Sequence, residues 1–164
     1  MKRRDKINYY LDIAETVLER GTCLRRNYGA IIVKNDEIVS TGYAGAPRGR
    51  QNCTDVGFCT RKRRNVAHGE RYELCRSVHA EANAIIAAGR DQMLGSTLYL
   101  ACHDEDGRIE PNGTPCPMCR RLIINAGISR VIIRNTRDAF TVVSVQDWID
   151  DDDTADNGQL TMGS

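Results

Sequence analysis

Apolar residues at Ile7, Tyr10, Leu11, Ala14, Val17 and Leu18 recur at intervals of three and four, the stripe of a helix with one buried face. The spacing predicts a helix over residues 6–20, with Gly21 where it would stop. The rhythm then changes. "YGAIIVKNDEIVSTGY" holds two β-rich runs, Ala30–Val33 and Ile38–Thr41, around the polar pair Asn35-Asp36, and so predicts a hairpin. From Ala44 to Glu70 glycine, proline, cysteine and arginine alternate with little period, which predicts a long loop that is either functional or pinned by something. Helical spacing returns from Ser77 to Gly89 through Ala80, Ala84, Ile85 and Ala88, with Gly89 as the stop. "STLYLAC" reads as a strand, "HDEDGRIEPNGT" as a polar turn region, and "PCPMCRRLIINAG" as a short helix ended by Gly127. "RVIIR" and "FTVVSV" are two further strands. The order α-β-β-loop-α-β-α-β-β is that of an α/β domain. A helix between two strands favours parallel pairing, while the early hairpin is antiparallel, so the sheet is expected to be mixed.

Length and composition narrow this picture. At 164 residues the chain suits one domain, expected over residues 1–149, with residues 150–164 an acidic tail too poor in apolar residues to fold. A formal net charge of +1 gives no general attraction to nucleic acid or to membranes. The basic run Arg61 to Arg64 ("RKRR") and the acidic stretch "DWIDDDD" read as solvated surface. No apolar run approaches the ~20 residues of a membrane span, and no secretory leader is visible, so a cytoplasmic protein with no membrane partner is expected. Thiols stay reduced there. The seven cysteines, an odd number, therefore read as metal ligands or core thiols and not as disulfides.

Two short stretches carry the chemistry. In "TPCPMC", Cys116 and Cys119 are three apart, on one face of a helix whose first turn tolerates Pro117. Such a pair alone fits a redox couple or half a zinc site. In "VHAEANA", His79 adds an imidazole. Two thiolates and one imidazole hold zinc with its fourth position left for water, whose pKa falls from 15.7 towards ~7. Glu81, two residues on, is the candidate to move that water's protons. Residues two apart lie on opposite sides of a regular helix, so His79 must stand at the irregular start for both to face one site.

His-Ala-Glu followed by Pro-Cys-x-x-Cys is similar to the signature of zinc-dependent cytidine-type deaminases. "RYELCRSVHAEANAI", "TGYAGAPRG", "TCLRRNYGAIIV" and "PCPMCRRLIINAG" together resemble the deoxycytidylate (dCMP) deaminase branch over roughly residues 5 to 135. The resemblance implies a three-layer α/β/α fold around a five-stranded mixed sheet, with deamination of dCMP to dUMP and release of ammonia. It implies His79, Cys116 and Cys119 as ligands of a catalytic zinc and Glu81 as the proton shuttle. Arg25 occupies the position that contacts the substrate phosphate, with Arg26 the near alternative and Asn27 a candidate for reading a sugar hydroxyl. Some members carry a second, structural zinc, for which Cys23, Cys53, Cys59 and Cys75 are candidates, with His68 able to replace one of them. Members of this branch assemble into dimers or hexamers. The family's usual "GYNG" is here "GYAG", with Ala44 in place of an asparagine that in several members belongs to nucleotide recognition, including a regulatory dCTP and dTTP site. The same scaffold also serves deaminases of other nucleosides and bases, and of tRNA or single-stranded DNA. Nucleic-acid binding needs a basic face and stacking aromatics, and aromatics are only 5% here.

Overall fold

The computed structural model describes residues 1–152. Residues 153–164, most of the expected acidic tail, lie outside the described residues.

Helix α1 (Lys6–Leu18) is capped by Asp5, whose carboxylate accepts the Asn8 backbone N–H at 2.9 Å. Strands β1 (Asn27–Lys34) and β2 (Glu37–Tyr43) form the expected hairpin. Asn35 and Asp36 turn it with positive φ (51° and 63°), the handedness that matches strand twist. The long segment that follows is less irregular than its sequence suggests. It holds α2 (Cys53–Val56), α3 (Thr60–Arg63) and a 3₁₀ turn over Tyr72–Leu74. Next come α4 (Ala80–Ile86), α5 (Arg90–Met93), β3 (Thr97–His103), α6 (Pro117–Ala126), β4 (Arg130–Arg134), β5 (Phe140–Ser144) and α7 (Val145–Asp150). Gly89 caps the start of α5 and does not end α4. Gly127 does end α6, at φ 82°.

The five strands lie in the order β2-β1-β3-β4-β5, with only β3 and β4 parallel, so the sheet is mixed. Alternate residues of the central strands face two cores. Ala30, Ile32, Leu98, Leu100, Val131 and Ile133 pack under α4 and α6, while Ile31, Val33, Tyr99, Ala101 and Ile132 pack on α1. Burial on both faces explains why these strands read as unbroken apolar runs. Two glycines let helices approach the sheet. A Cβ at Gly29 would meet Ala14 and Leu18 of α1, and one at Gly42 would meet Ala80 and Ala84 of α4.

Helix α1 is also fastened by charge. Arg134, buried in β4, donates to Asp12 at 2.7 Å and to Glu15, and reaches the Asn8 carbonyl at 3.2 Å. Glu15 continues to His103 Nε2 at 2.8 Å, and Arg4 adds a second guanidinium on Asp12 at 3.0 Å. Burial raises the Asp12 carboxyl, but the hydrogen bonds from Arg4 and Arg134 outweigh it and hold the group below its ordinary value. The unfolded chain therefore takes up a proton where the folded one does not. The stability this group adds is present above its unfolded pKa and is lost as pH falls through the folded one. Thermal unfolding followed from about pH 7 to about pH 3 should show an acid slope that Asp12→Asn flattens. An identical slope in the variant would show that this pair adds nothing.

Candidate active site

Helix α4 begins at the end of β2, and several contacts fix where. Gly45 and Val78 exchange backbone hydrogen bonds at 2.7 and 3.2 Å, which pins the residue just before His79. Asn83 donates its amide to the Tyr43 carbonyl at 2.8 Å and to Val78 at 3.3 Å, tying the first turn to the strand. His79 is the N-cap residue, with extended backbone (φ −68°, ψ 154°), and the helix proper starts at Ala80. That break in helical geometry lets His79 and Glu81 face one site. Helix α6 begins in the same way. Cys116 is its N-cap, Pro117 its first residue, and Cys119 lies one turn on, buried.

The two helix starts converge. His79 Nδ1 lies 3.5 Å from both Cys116 Sγ and Cys119 Sγ. A tetrahedral ion with sulfur at ~2.3 Å and nitrogen at ~2.0 Å sets those atoms ~3.5 Å apart, so the three donors fit a zinc ion. Among the described residues this is the one group of three or more metal-ligating side chains gathered within 4.8 Å.

The charges of the trio are interdependent. Hydrogen bonds to Cys116 and Cys75 push the His79 imidazole up to about 10. Hydrogen bonding to Cys119, with help from His79, draws Cys116 down to about 4, and the shared proton together with burial pushes Cys119 up. One sulfur thus carries thiolate between two proton donors, the electron-rich set a divalent cation replaces protons on. Glu81 is 3% exposed, and burial raises its carboxyl above the ordinary range. The positive charge of His79 and a hydrogen bond with Cys119 work against that rise without cancelling it, so Glu81 stands beside the trio as a carboxyl that holds its proton more readily than an exposed one.

A cavity of about 280 Å³ opens over these groups. Its wall includes Arg25, Arg26, Arg61, Tyr72 and Ala44 besides His79 and Glu81. Arg26 is paired with Glu110 at 3.5 Å. Asn27 does not face the cavity. Its amide accepts the Cys23 N–H at 3.0 Å and donates to the Cys23 carbonyl at 3.2 Å, which stiffens the loop that carries Arg25.

Of the four cysteines expected around a second zinc, three line the cavity and the fourth, Cys53, lies near enough to feel their charge, without the four closing on one another to the distance of the first trio. Cys23, Cys59 and Cys75 line it together with His68, and all three thiols act on the charge of Cys53. Cys53 itself is buried at the start of α2, with Ser77 Oγ 3.8 Å away. Cys75 lies within hydrogen-bonding reach of His79. Cys102 is a buried strand thiol beside Tyr28.

Sequence reasoning missed Tyr72, whose ring meets His79 edge-on at 5.5 Å between centroids. It sits in an aperiodic stretch that offered no signal. Arg61 was expected on solvated surface and is buried, because its guanidinium folds inward to loop carbonyls.

Comparison with known proteins agrees with this geometry. The family description "Cytidine and deoxycytidylate deaminase zinc-binding region" matches residues 4–135. The deoxycytidylate deaminase of Mycobacterium phage D29 is 34% identical over 137 residues, covering 80% of this chain and 96% of the phage protein. That of Schizosaccharomyces pombe is 31% identical over 125 residues, and this chain spans only 35% of its length. Among solved structures, the dCMP deaminase of cyanophage S-TIM5 superposes with a TM-score of 0.56 at 28% identity, over 84% of this chain and 88% of the other. The same phage protein has been solved in complex with dCMP and dUMP, where the TM-score is 0.54 at 27% identity.

If the trio holds the ion, Cys119→Ala should lower bound zinc by about one ion per chain, measured by elemental analysis of dialysed protein. Unchanged zinc content would remove these residues from the metal site.

Proposed function

Since the chain belongs to the cytidine and deoxycytidylate deaminase zinc-binding family, we propose that it hydrolyses dCMP to dUMP and ammonia. The observation that carries this reading is the convergence of His79, Cys116 and Cys119 beside a buried Glu81 under a cavity walled by guanidinium groups. Zinc on the trio supplies a water that ionises near neutral pH. Glu81 does the proton work. Its carboxylate takes one proton from the attacking water and delivers it to N3 of the cytosine ring, then takes the remaining proton from the new C4 hydroxyl and passes it to the amine, so that ammonia leaves and C4 keeps the oxygen as a carbonyl. Burial suits it to that exchange, since it raises the carboxyl above its ordinary range and makes its proton easier to hold between the two transfers. The cavity excludes bulk solvent from the ring while the basic wall stays open to the phosphate.

Arg25 is assigned to that phosphate. It reaches the cavity from the loop that Asn27 stiffens, and no carboxylate pairs with it among the described residues. Ala44, buried in the cavity wall, has a methyl where the family pattern has an amide, so its side chain offers no hydrogen bond to a nucleotide. A structural zinc among Cys23, Cys53, Cys59 and Cys75 is supported by the nearness of the other three thiols to Cys53, on whose charge they act. Assembly into a homo-oligomer is supported by Ile86, Met118 and Leu122, apolar and exposed on α4 and α6. Seven unpaired thiols suit a reducing, cytoplasmic setting, and no described helix is long and apolar enough to cross a membrane.

Glu81→Gln should keep its zinc and lose about 10²–10⁴-fold in turnover of dCMP, followed as ammonia release. Full activity in that variant would overturn the assignment. Arg25→Ala should lower kcat/KM for dCMP far more than for deoxycytidine. Equal losses on the two substrates would take Arg25 away from the phosphate.

A further inference from the structure

Arg61 is the first residue of the "RKRR" run, and the other three are exposed while it is 7% exposed. Glu73 acts on its charge through space, but the two make no ion pair. One terminal nitrogen, Nη2, donates to the Glu70 carbonyl at 2.5 Å and to the Ala67 carbonyl at 3.4 Å. The guanidinium carbon lies 4.5 Å above the Tyr72 ring. Its Nε is buried without a partner, and no carboxylate pairs with it among the described residues. Two carbonyl dipoles and a ring face offset only part of the cost of a buried cation, so the site is short of one negative charge.

The direction of that deficit is informative. Arg61 lines the same cavity as His79 and Glu81, and Tyr72 stands between it and His79, stacked on one and edge-on to the other. Burial raises the Tyr72 phenol, while Arg61, Arg26 and Arg25 all draw it down, so the three guanidinium groups gather around that ring. Arg26 is occupied by Glu110. Arg25 and Arg61 remain, carried by different segments of the chain and both facing the cavity.

We propose that Arg61 binds the phosphate of the nucleotide opposite Arg25, so that two guanidinium groups from separate loops make the site selective for a monophosphate over a nucleoside. This rests on the nucleotide deaminase reading above. The carbonyls of Ala67 and Glu70 hold the guanidinium in orientation through Nη2, which leaves Nη1 for a phosphate oxygen. Tyr72 sets the spacing between phosphate and ring by standing between Arg61 and the metal ligand. A run that looks like surface charge thus supplies substrate selectivity from the inside.

The test uses zinc-loaded full-length protein, with dUMP and deoxyuridine binding measured by calorimetry. Arg61→Gln should weaken dUMP by about 10- to 100-fold and deoxyuridine by less than about threefold. Arg61→Lys, which keeps the charge and loses the fork, should fall between and serves if the glutamine variant does not fold. Loss of both ligands in equal measure, or an unchanged ratio between them, would overturn the proposal and leave Arg61 a loop brace. In that case wild-type preference for dUMP would still support the nucleotide reading. A wild-type protein that binds dUMP no better than deoxyuridine would overturn both.

Discussion

Helix α4 lies so close to β2 that the Ala80 carbonyl and the Ala84 amide occupy the space a side chain at position 42 would need. The rest of the site depends on that contact. It sets the height of the helix above the sheet, and the Gly45–Val78 hydrogen bonds and the Asn83 amide then set where its first turn begins. His79 is left outside the helix and Glu81 inside it, so two side chains that regular geometry would send apart arrive together. Helix α6 meets them from the far side of β3, with Pro117 holding its first turn open for the two thiols. The metal-ligating trio is a junction between two helix starts, and its precision is inherited from the backbone.

Burial then does the chemical tuning. Glu81 is raised because the cost of losing water outweighs the nearby charge of His79, and the thiols divide one proton because they are too close to ionise independently. On the opposite face of the sheet the same forces serve stability. Arg134 is fully covered there, and Asp12 and Glu15 supply the negative charge that the cavity side withholds from Arg61. One buried arginine is balanced by carboxylates and shapes the fold. The other lacks them and faces the cavity.

Residues with a rigid local meaning were legible from the chain. The stripe from Ile7 to Leu18, the Asn35-Asp36 turn, Pro117 before a helical run and Gly127 after it each act within a few neighbours. What was not legible came from tertiary packing. Helix α5 is a single turn held by the buried Met93, too short for any period to show. Gly89 stops one helix in the pattern and caps the next in the structure, because a glycine suits both. Helix α7 was hidden because Val145 continues the alternation of β5 before it turns inward. Arg61 and Tyr72 sit where the sequence has no rhythm, and only the folded loop shows that they face the metal-ligating residues.

The basic wall of the cavity has a consequence for how such an enzyme behaves at work. In the proposed reaction the exchange of an amine for an oxygen would take place at the ring, beside Glu81, and leave the far end of the nucleotide untouched. In the proposed roles, Arg25 and Arg61, on that wall, would therefore hold what arrives and what departs with the same strength. Affinity gained there raises occupancy at low substrate concentration but does nothing to speed the chemical step, and it slows departure. Accumulated product then competes for the same seat, and flux depends on how quickly the next step downstream clears it away.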